Sequence, residues 1–398
     1  MTRRFPVLLF AAATISLASA VSCGGGGSTG GAPGAGTSGG AGGAAGTGGT
    51  GSGVSGAGGS GGSGVAGSGG VGTSDGGGGS AGGSGGAGRG GAGAGGPDGG
   101  VAGAIKTVFV ILEENHNWDS IHGSSDAPYI NTTLLPMSSY ATNYKGADRG
   151  QLHPSEPNYI WLEAGSNANL PNGNASYAFQ GDGDPSASNQ STTTEHLVTL
   201  LNAAGISWKS YQEDLPQNGC GAGTSGLYAP KHNPMVFFTD VTSDSAYCNA
   251  HVVPLSQLAA DLQNNTVARY NFITPNLCND MHGDIRCLFE NTVSSGDTWL
   301  KDHVPMILSS PAYRDGGALF ITWDESETQS TTCAPNCPSI GMMVLSPRAK
   351  GNGYNNAVTY DHSSYVKTVQ EIFGLTPLLR HAGDAATSDL ADLFTAFP

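Results

Sequence analysis

The chain has 398 residues, 65 of them glycine, and a formal net charge of −15. That charge disfavours nucleic acid or an anionic membrane surface as an electrostatic partner. Most of the glycine lies before residue 104, so residues 104–398 carry the core, and they are enough for one large domain.

Met1-Thr2-Arg3-Arg4 gives a positive start, and residues 6–20 are an Ala-rich apolar run too short to span a bilayer comfortably. Ala20-Val21-Ser22-Cys23 follows. The pattern resembles a bacterial lipoprotein signal, so residues 1–22 are expected to be removed and Cys23 to carry lipid. Cleavage by ordinary signal peptidase, for example after Ala20, is the alternative and would leave a secreted protein. Both readings imply export, with the membrane reached only through an anchor at Cys23. Residues 23–103 are nearly all Gly, Ser, Ala and Thr, with almost no side chain to bury. Such a stretch is expected to be a flexible tether with a typical span on the order of 50 Å.

An apolar, β-branched run at 107–112 predicts a buried strand that ends in Glu113-Glu114-Asn115-His116. In open α/β folds ligand groups gather at the carboxyl ends of strands. Residues 144–184 are mostly polar and irregular and are expected to form a loop region on the substrate side. Within them His153-Pro154-Ser155-Glu156-Pro157-Asn158-Tyr159 puts a serine ahead of a short helix at 159–163. A hydroxyl there faces the positive end of the helix dipole, which stabilises an attacking alkoxide and an anionic substrate group. The plainer role for Ser155 is an N-cap. Asp182-Gly183-Asp184 reads as a solvated loop rather than a calcium site.

Helical spacing predicts helices at 194–204, 255–264, 298–309 and 363–373, the first and last ending at Gly205 and Gly374. Further strands are expected at 270–273, 318–322 and 341–346. The second of these runs through Trp323 into Asp324-Glu325, so two buried strands both end in acidic clusters, which suggests one shared metal site. The alternation of strands and helices predicts an α/β fold with a mostly parallel central sheet and helices on both faces. Trp161, Trp208 and Tyr211 read as core or pocket wall, and His116 and His122 as structural or solvated.

Apart from Cys23, the cysteines are Cys220, Cys248, Cys278, Cys287, Cys333 and Cys337. An even number in an exported chain predicts disulfides, and the local pairing Cys220–Cys248, Cys278–Cys287 and Cys333–Cys337 is expected. A zinc site is the alternative, although the spacing fits no common zinc pattern.

Together the motifs resemble the bacterial and fungal phosphoesterase family of acid phosphatases and non-haemolytic phospholipases C. Its fold is the alkaline-phosphatase-like three-layer sandwich. The resemblance runs from Ile105 to Leu375. It includes Glu114-Asn115-His116, the run around Ser155, residues 205–213, Lys231-His232-Asn233-Pro234, Thr274-Pro275-Asn276, Asn279-Asp280-Met281-His282, Trp323-Asp324-Glu325 and Tyr360-Asp361-His362. It implies metal ligation by Glu114 and Asn115 with Asp324 and Glu325, where many relatives have two aspartates. It implies Ser155 as nucleophile and His232 and His282 as contacts of the transferred phosphoryl group. His362 matches a recurrent histidine of the family to which the resemblance assigns no role, with support of the sheet end as the plain alternative, and Asp280 is grouped with it as support.

Three carboxylates and an amide oxygen make a hard, oxygen-only shell, which suits Ca²⁺, Mg²⁺ or Mn²⁺ over Zn²⁺. The leading expectation is therefore an exported, metal-dependent phosphomonoesterase working through a phosphoserine. Its substrate is a small phosphate ester or a phospholipid headgroup. The rival is a phospholipase C acting on phospholipid diesters, which needs an apolar channel for the diacylglycerol side. No long apolar insertion is present, and this tilts the reading towards a phosphatase. A catalytically inactive, surface-tethered binding protein is a third class, disfavoured because the nucleophile and the metal residues are all present.

Overall fold

All seven residues of the first strand, β1 (Thr107–Glu113), are buried. Successive strand side chains point to opposite faces, so both faces of the sheet at β1 are covered. The computed structural model describes residues 104–167, 179, 181–217, 219–327, 333 and 335–398. The expected signal peptide, the lipid site at Cys23 and the tether lie outside the described residues.

The other strands are β2 (Ser139–Ala141), β3 (Trp208–Gln212), β4 (Val252–Pro254), β5 (Tyr270–Thr274), β6 (Gly317–Trp323), β7 (Met342–Leu345) and β8 (Tyr354–Asn356). They form one eight-stranded sheet in the order β4-β3-β5-β1-β6-β7-β2-β8. β1 pairs in parallel with β5 and β6, β3 with β4 and β5, and β2 with β8. Only β7 runs against its neighbours, β6 and β2. The α/β class with a mostly parallel central sheet is therefore observed.

Five helices matter for the site and its support: α1 (Ser155–Ala164), α2 (Leu197–Ala203), α3 (Ser256–Asn264), α4 (Thr292–Ser309) and α5 (His362–Phe373). Every residue of α1 is buried, as expected for a helix enclosed by the molecule rather than lying on its surface. The helix expected at 159–163 thus begins four residues earlier, at Ser155 itself. α4 also starts earlier than its apolar spacing suggests, because the Asn291 side chain accepts from the Ser294 N–H and caps it. α5 is capped by the Asp361 carboxylate and stops at Gly374, whose φ of 65° is the left-handed conformation glycine adopts without strain. Among the described residues no helix is long and apolar enough to cross a membrane.

Candidate active site

The site lies beyond the carboxyl ends of β1, β5 and β6. The ladder continues past the strands. Glu114 N–H donates to the Asp280 carbonyl at 2.7 Å, and Asp324 N–H donates to the Glu113 carbonyl at 2.9 Å. Backbone bonds therefore fix three segments far apart in the chain against one another. Asn115 follows with φ 51°, a left-handed conformation that asparagine tolerates better than most residues. Its backbone N–H donates to Asp324 Oδ1 at 3.0 Å, and its side-chain amide donates to Glu114 Oε2 at 2.9 Å.

Ser155 is the first residue of α1, and the capping position is occupied by Pro154. The serine is therefore not the N-cap, and its hydroxyl donates instead to Glu114 Oε2 at 2.9 Å. The residue is buried, with 2% of its surface exposed. A hydroxyl at a helix N-terminus, bonded to a carboxylate, is placed for nucleophilic chemistry on an anionic group.

Glu114, Asp280 and Asp324 are all buried. Burial, then the negative charge of neighbouring carboxylates, raises the pKa of Glu114 well above its usual value. Burial does the same for Asp280, and its hydrogen bonds to backbone N–H groups and the Asp324 charge act against and with it respectively. Burial raises Asp324 too, although the N–H groups of Asn115 and Glu325 oppose the rise. Glu114 Oε1, Asp280 Oδ2 and Asp324 Oδ2 are buried without a well-aligned hydrogen bond, and the first two face the His232 ring. Among the described residues, no three His, Cys, Asp or Glu side chains are grouped so that they could hold a metal ion as they stand.

His232 bridges two of these carboxylates, with Nε2 3.2 Å from Glu114 Oε1 and Nδ1 3.4 Å from Asp280 Oδ2. Its ring stacks on Tyr159 of α1 at 4.9 Å. Burial, then the charges of Lys231 and His282, hold its pKa well below the usual imidazole value. His282 stands at the mouth, its ring 6.3 Å from that of His232 and its backbone N–H bonded to Asp280 Oδ1 at 2.9 Å. His362 accepts from Tyr144 through Nδ1 and donates from Nε2 to the Asp324 carbonyl at 2.7 Å. Burial pushes its pKa down to about 4, so it holds the end of β6 as a neutral ring.

Glu325 is turned partly aside. Its Oε2 lies 2.8 Å from His153 Nδ1 and accepts from Asn158 at 3.0 Å. Burial and the Asp324 charge push its pKa up to about 10. The structure therefore brings Glu114, Asn115, Ser155, His232, Asp280 and Asp324 into one cluster. Glu325 sits at its edge, and His282 at its entrance.

Sequence reasoning passed over Lys231, His153 and Tyr159. Lys231 is the informative omission. Its ammonium donates to Asp182 at 2.6 Å. The charges of Glu114, Asp182 and Asp324 outweigh its burial and raise its pKa. The signal available was its place next to His232, but an adjacent residue in a loop does not reveal where a long side chain goes. Asp182-Gly183-Asp184 is an exposed loop, as expected, and this contact is one of several that pin it. Asp182 also accepts from Glu156 N–H, and Asp184 accepts from the Thr224 backbone and hydroxyl. The bland readings of His116 and the buried aromatics hold. His116 bonds Glu327 and the Met281 carbonyl, and Trp161, Trp208 and Tyr211 lie inside.

All three local disulfides form: Cys220–Cys248, Cys278–Cys287 and Cys333–Cys337, with Cα atoms 5.8, 6.0 and 4.6 Å apart. Cys278–Cys287 closes the loop that carries Asp280 and His282.

A probable acid phosphatase of Kluyveromyces lactis is 28% identical over 293 residues, spanning 71% of this chain and 61% of that protein. The chain thus covers less than two thirds of that relative's length. Phosphatidylinositol-3-phosphatase of Mycobacterium tuberculosis is 27% identical over 268 residues, spanning 67% of this chain and 77% of that protein. A solved protein of the alkaline phosphatase superfamily from Vibrio parahaemolyticus is similar with 12% identity and a TM-score of 0.42 over 72% of each chain. The Phosphoesterase family matches residues 128–376, which takes in Ser155, Lys231, His232, Asp280, His282, Asp324, Glu325 and His362 and begins just after Glu114 and Asn115. With the greater part of the chain inside that match, and all of those residues gathered at one end of the sheet, the chain belongs to the Phosphoesterase family.

Proposed function

We propose that this chain is an exported, cation-dependent phosphomonoesterase that works through a phosphoserine at Ser155. One observation carries the reading: a buried serine begins a buried helix and its hydroxyl donates to Glu114, inside a cluster of buried carboxylates. Buried carboxylates without enough counter-charge are costly, and a hard divalent cation is the group that oxygen donors of this kind accept. The buried carboxylates of Glu114 and Asp324 suit such an ion by their oxygen chemistry, with Asn115 and Glu325 completing the set that the family resemblance implies. When bound, the cation would supply positive charge that favours ionised Ser155 and attracts a phosphate.

The remaining chemistry belongs to the chain. Ser155 Oγ gives up its proton towards Glu114 and attacks phosphorus, and the P–O bond to the alcohol breaks as the leaving oxygen departs. The N-terminus of α1 and the Lys231 ammonium stabilise the added negative charge. His232, held neutral, donates an N–H to a phosphoryl oxygen, and His282 at the mouth gives a proton to the leaving alcohol. Water then attacks the phosphoserine and restores the hydroxyl. His153 and Asn158 position Glu325, and His362 positions Asp324.

The test measures phosphate release from an aryl monoester and phosphocholine release from a choline diester, each with and without chelator, for the native chain and Ser155→Ala. Monoester turnover should depend on the cation and drop by several orders of magnitude in the variant. Retention of more than about a tenth of the activity in Ser155→Ala would assign the attack to another group. Faster turnover of the diester would favour the phospholipase C reading.

A further inference from the structure

The loop closed by Cys278–Cys287 carries more than site residues. Just beyond His282 it forms a short 3₁₀ turn, Ile285–Cys287. Three large apolar side chains stand in water at this turn and directly after it: Ile285, inside the disulfide loop, is 76% exposed, and Leu288 and Phe289, the two residues after Cys287, are 67% and 103% exposed. None belongs to the core or packs against it. Scattered exposed apolar residues are ordinary, but three within five positions beside a site entrance form a patch.

We propose that Ile285, Leu288 and Phe289 are an interfacial tip that inserts into a zwitterionic lipid surface and presents the site to phosphate esters whose leaving group is apolar. The inference rests on the phosphoesterase reading for its substrate class, and it adds a membrane contact to the one expected at Cys23. Four features select this occupant. Position is the first: the tip and His282 share one loop, so a phosphate reached by His282 and His232 would have its apolar tail beside the tip. Rigidity is the second, because the disulfide holds Ile285 inside its loop and anchors Leu288 and Phe289 at Cys287, so less order has to be gained on insertion. Charge is the third: Arg286 and Asp284 pair with each other at 2.8 Å, while the whole chain carries −15. A neutral-headgroup surface escapes the repulsion that an anionic one would impose. Area is the fourth: three side chains expose a few hundred Å², well short of the roughly 800 Å² per partner of a stable protein interface. Insertion into acyl chains needs no matching surface.

The experiment uses the full chain with Cys23→Ser, so that no lipid on that residue contributes, alone and with Ile285→Ser, Leu288→Ser and Phe289→Ser together. Both proteins are sedimented with phosphatidylcholine vesicles. Both are assayed on a soluble aryl phosphate and on a diacylglycerol phosphate monoester diluted into those vesicles. The triple substitution should leave soluble turnover within about twofold and lower vesicle binding and lipid turnover about tenfold or more, as expected when this much apolar area loses its burial. Failure of the parent to bind vesicles, or equal binding by the variant, would overturn the proposal. So would a concentration-dependent dimer that the substitutions dissolve, since a second copy would then be the occupant. If neither protein cleaves the soluble ester but vesicle binding still depends on the three residues, the tip stands and only the hydrolytic reading falls.

Discussion

Beside Ser155, Glu156 buries a carboxyl that is hydrogen-bonded through one oxygen only. Its Oε2 accepts from Gly183 N–H at 2.8 Å and from Asn189 at 3.2 Å, while Oε1 has no partner. Burial pushes its pKa up to about 8, against the opposing hydrogen bonds. The raised value means that Glu156 stabilises the fold most fully below its unfolded pKa. That contribution fades as pH rises to the folded value, because the unfolded state ionises first. Glu156→Gln cannot ionise. Its melting temperature relative to the native chain should therefore be higher at about pH 9 than at about pH 5. A constant difference between the two across that range would remove Glu156 from the pH response. Single residues of this kind were the least legible in the sequence. Ser155 could be read as cap or nucleophile, and the helix start at Ser155, with Pro154 in the capping position, removes only the first of these. Glu325 was legible as an acid after β6, but its turn towards His153 depends on packing that no local pattern encodes.

At the level of elements, His196 is the knot. Its Nδ1 lies 2.9 Å from Glu163 near the end of α1, and its Nε2 lies 2.9 Å from Asp240 on the far side. Glu163 also accepts from Val198 N–H in the first turn of α2 at 2.7 Å, and the imidazole stacks on Phe238 at 4.0 Å. Burial pulls the His196 pKa down, but its bonds to Asp240 and Glu163 outweigh it and hold the imidazole above its usual value. One side chain thus ties α1, α2 and the Asp240 turn together. His196→Ala leaves two acids facing an empty slot and should cost about 3–5 kcal/mol of stability in urea unfolding. A loss under about 1 kcal/mol would show that the knot holds little. Elements were legible wherever they were long. β1, β5, β6, β7 and the four helices found by periodicity match within a few residues, except for the early start of α4. The three-residue strands β2, β4 and β8 were missed, because alternation cannot be seen over so short a run. β3 carries Lys209 and Gln212 among its apolar residues, and it reads as a strand only when paired with β5.

Across the whole molecule, the site is assembled by the topology. Glu114, Ser155, His232, Asp280 and Asp324 come from five separate stretches, and the parallel strands β1, β5 and β6 deliver three of them to one edge. Family motifs made that gathering legible, whereas the electrostatic partner Lys231 and the apolar tip were not, since both depend on where loops settle. The disulfide Cys278–Cys287 couples stability to that assembly. Replacing both cysteines with serine frees the loop holding Asp280 and His282. The change should lower stability by about 2–3 kcal/mol and also reduce turnover. Unchanged turnover in a folded double variant would show that hydrogen bonds alone keep the loop in place, and a urea titration alongside an aryl phosphate assay separates the two effects.

The sheet also ends bluntly at both borders. β4 at one border and β8 at the other have three residues each, and β4 closes on Pro254, which has no N–H to offer. A border so short gives a neighbouring chain almost no ladder to extend. Copies held close together can therefore drift past one another without zipping their sheets into a shared fibril, and high local density need not lead to loss by aggregation.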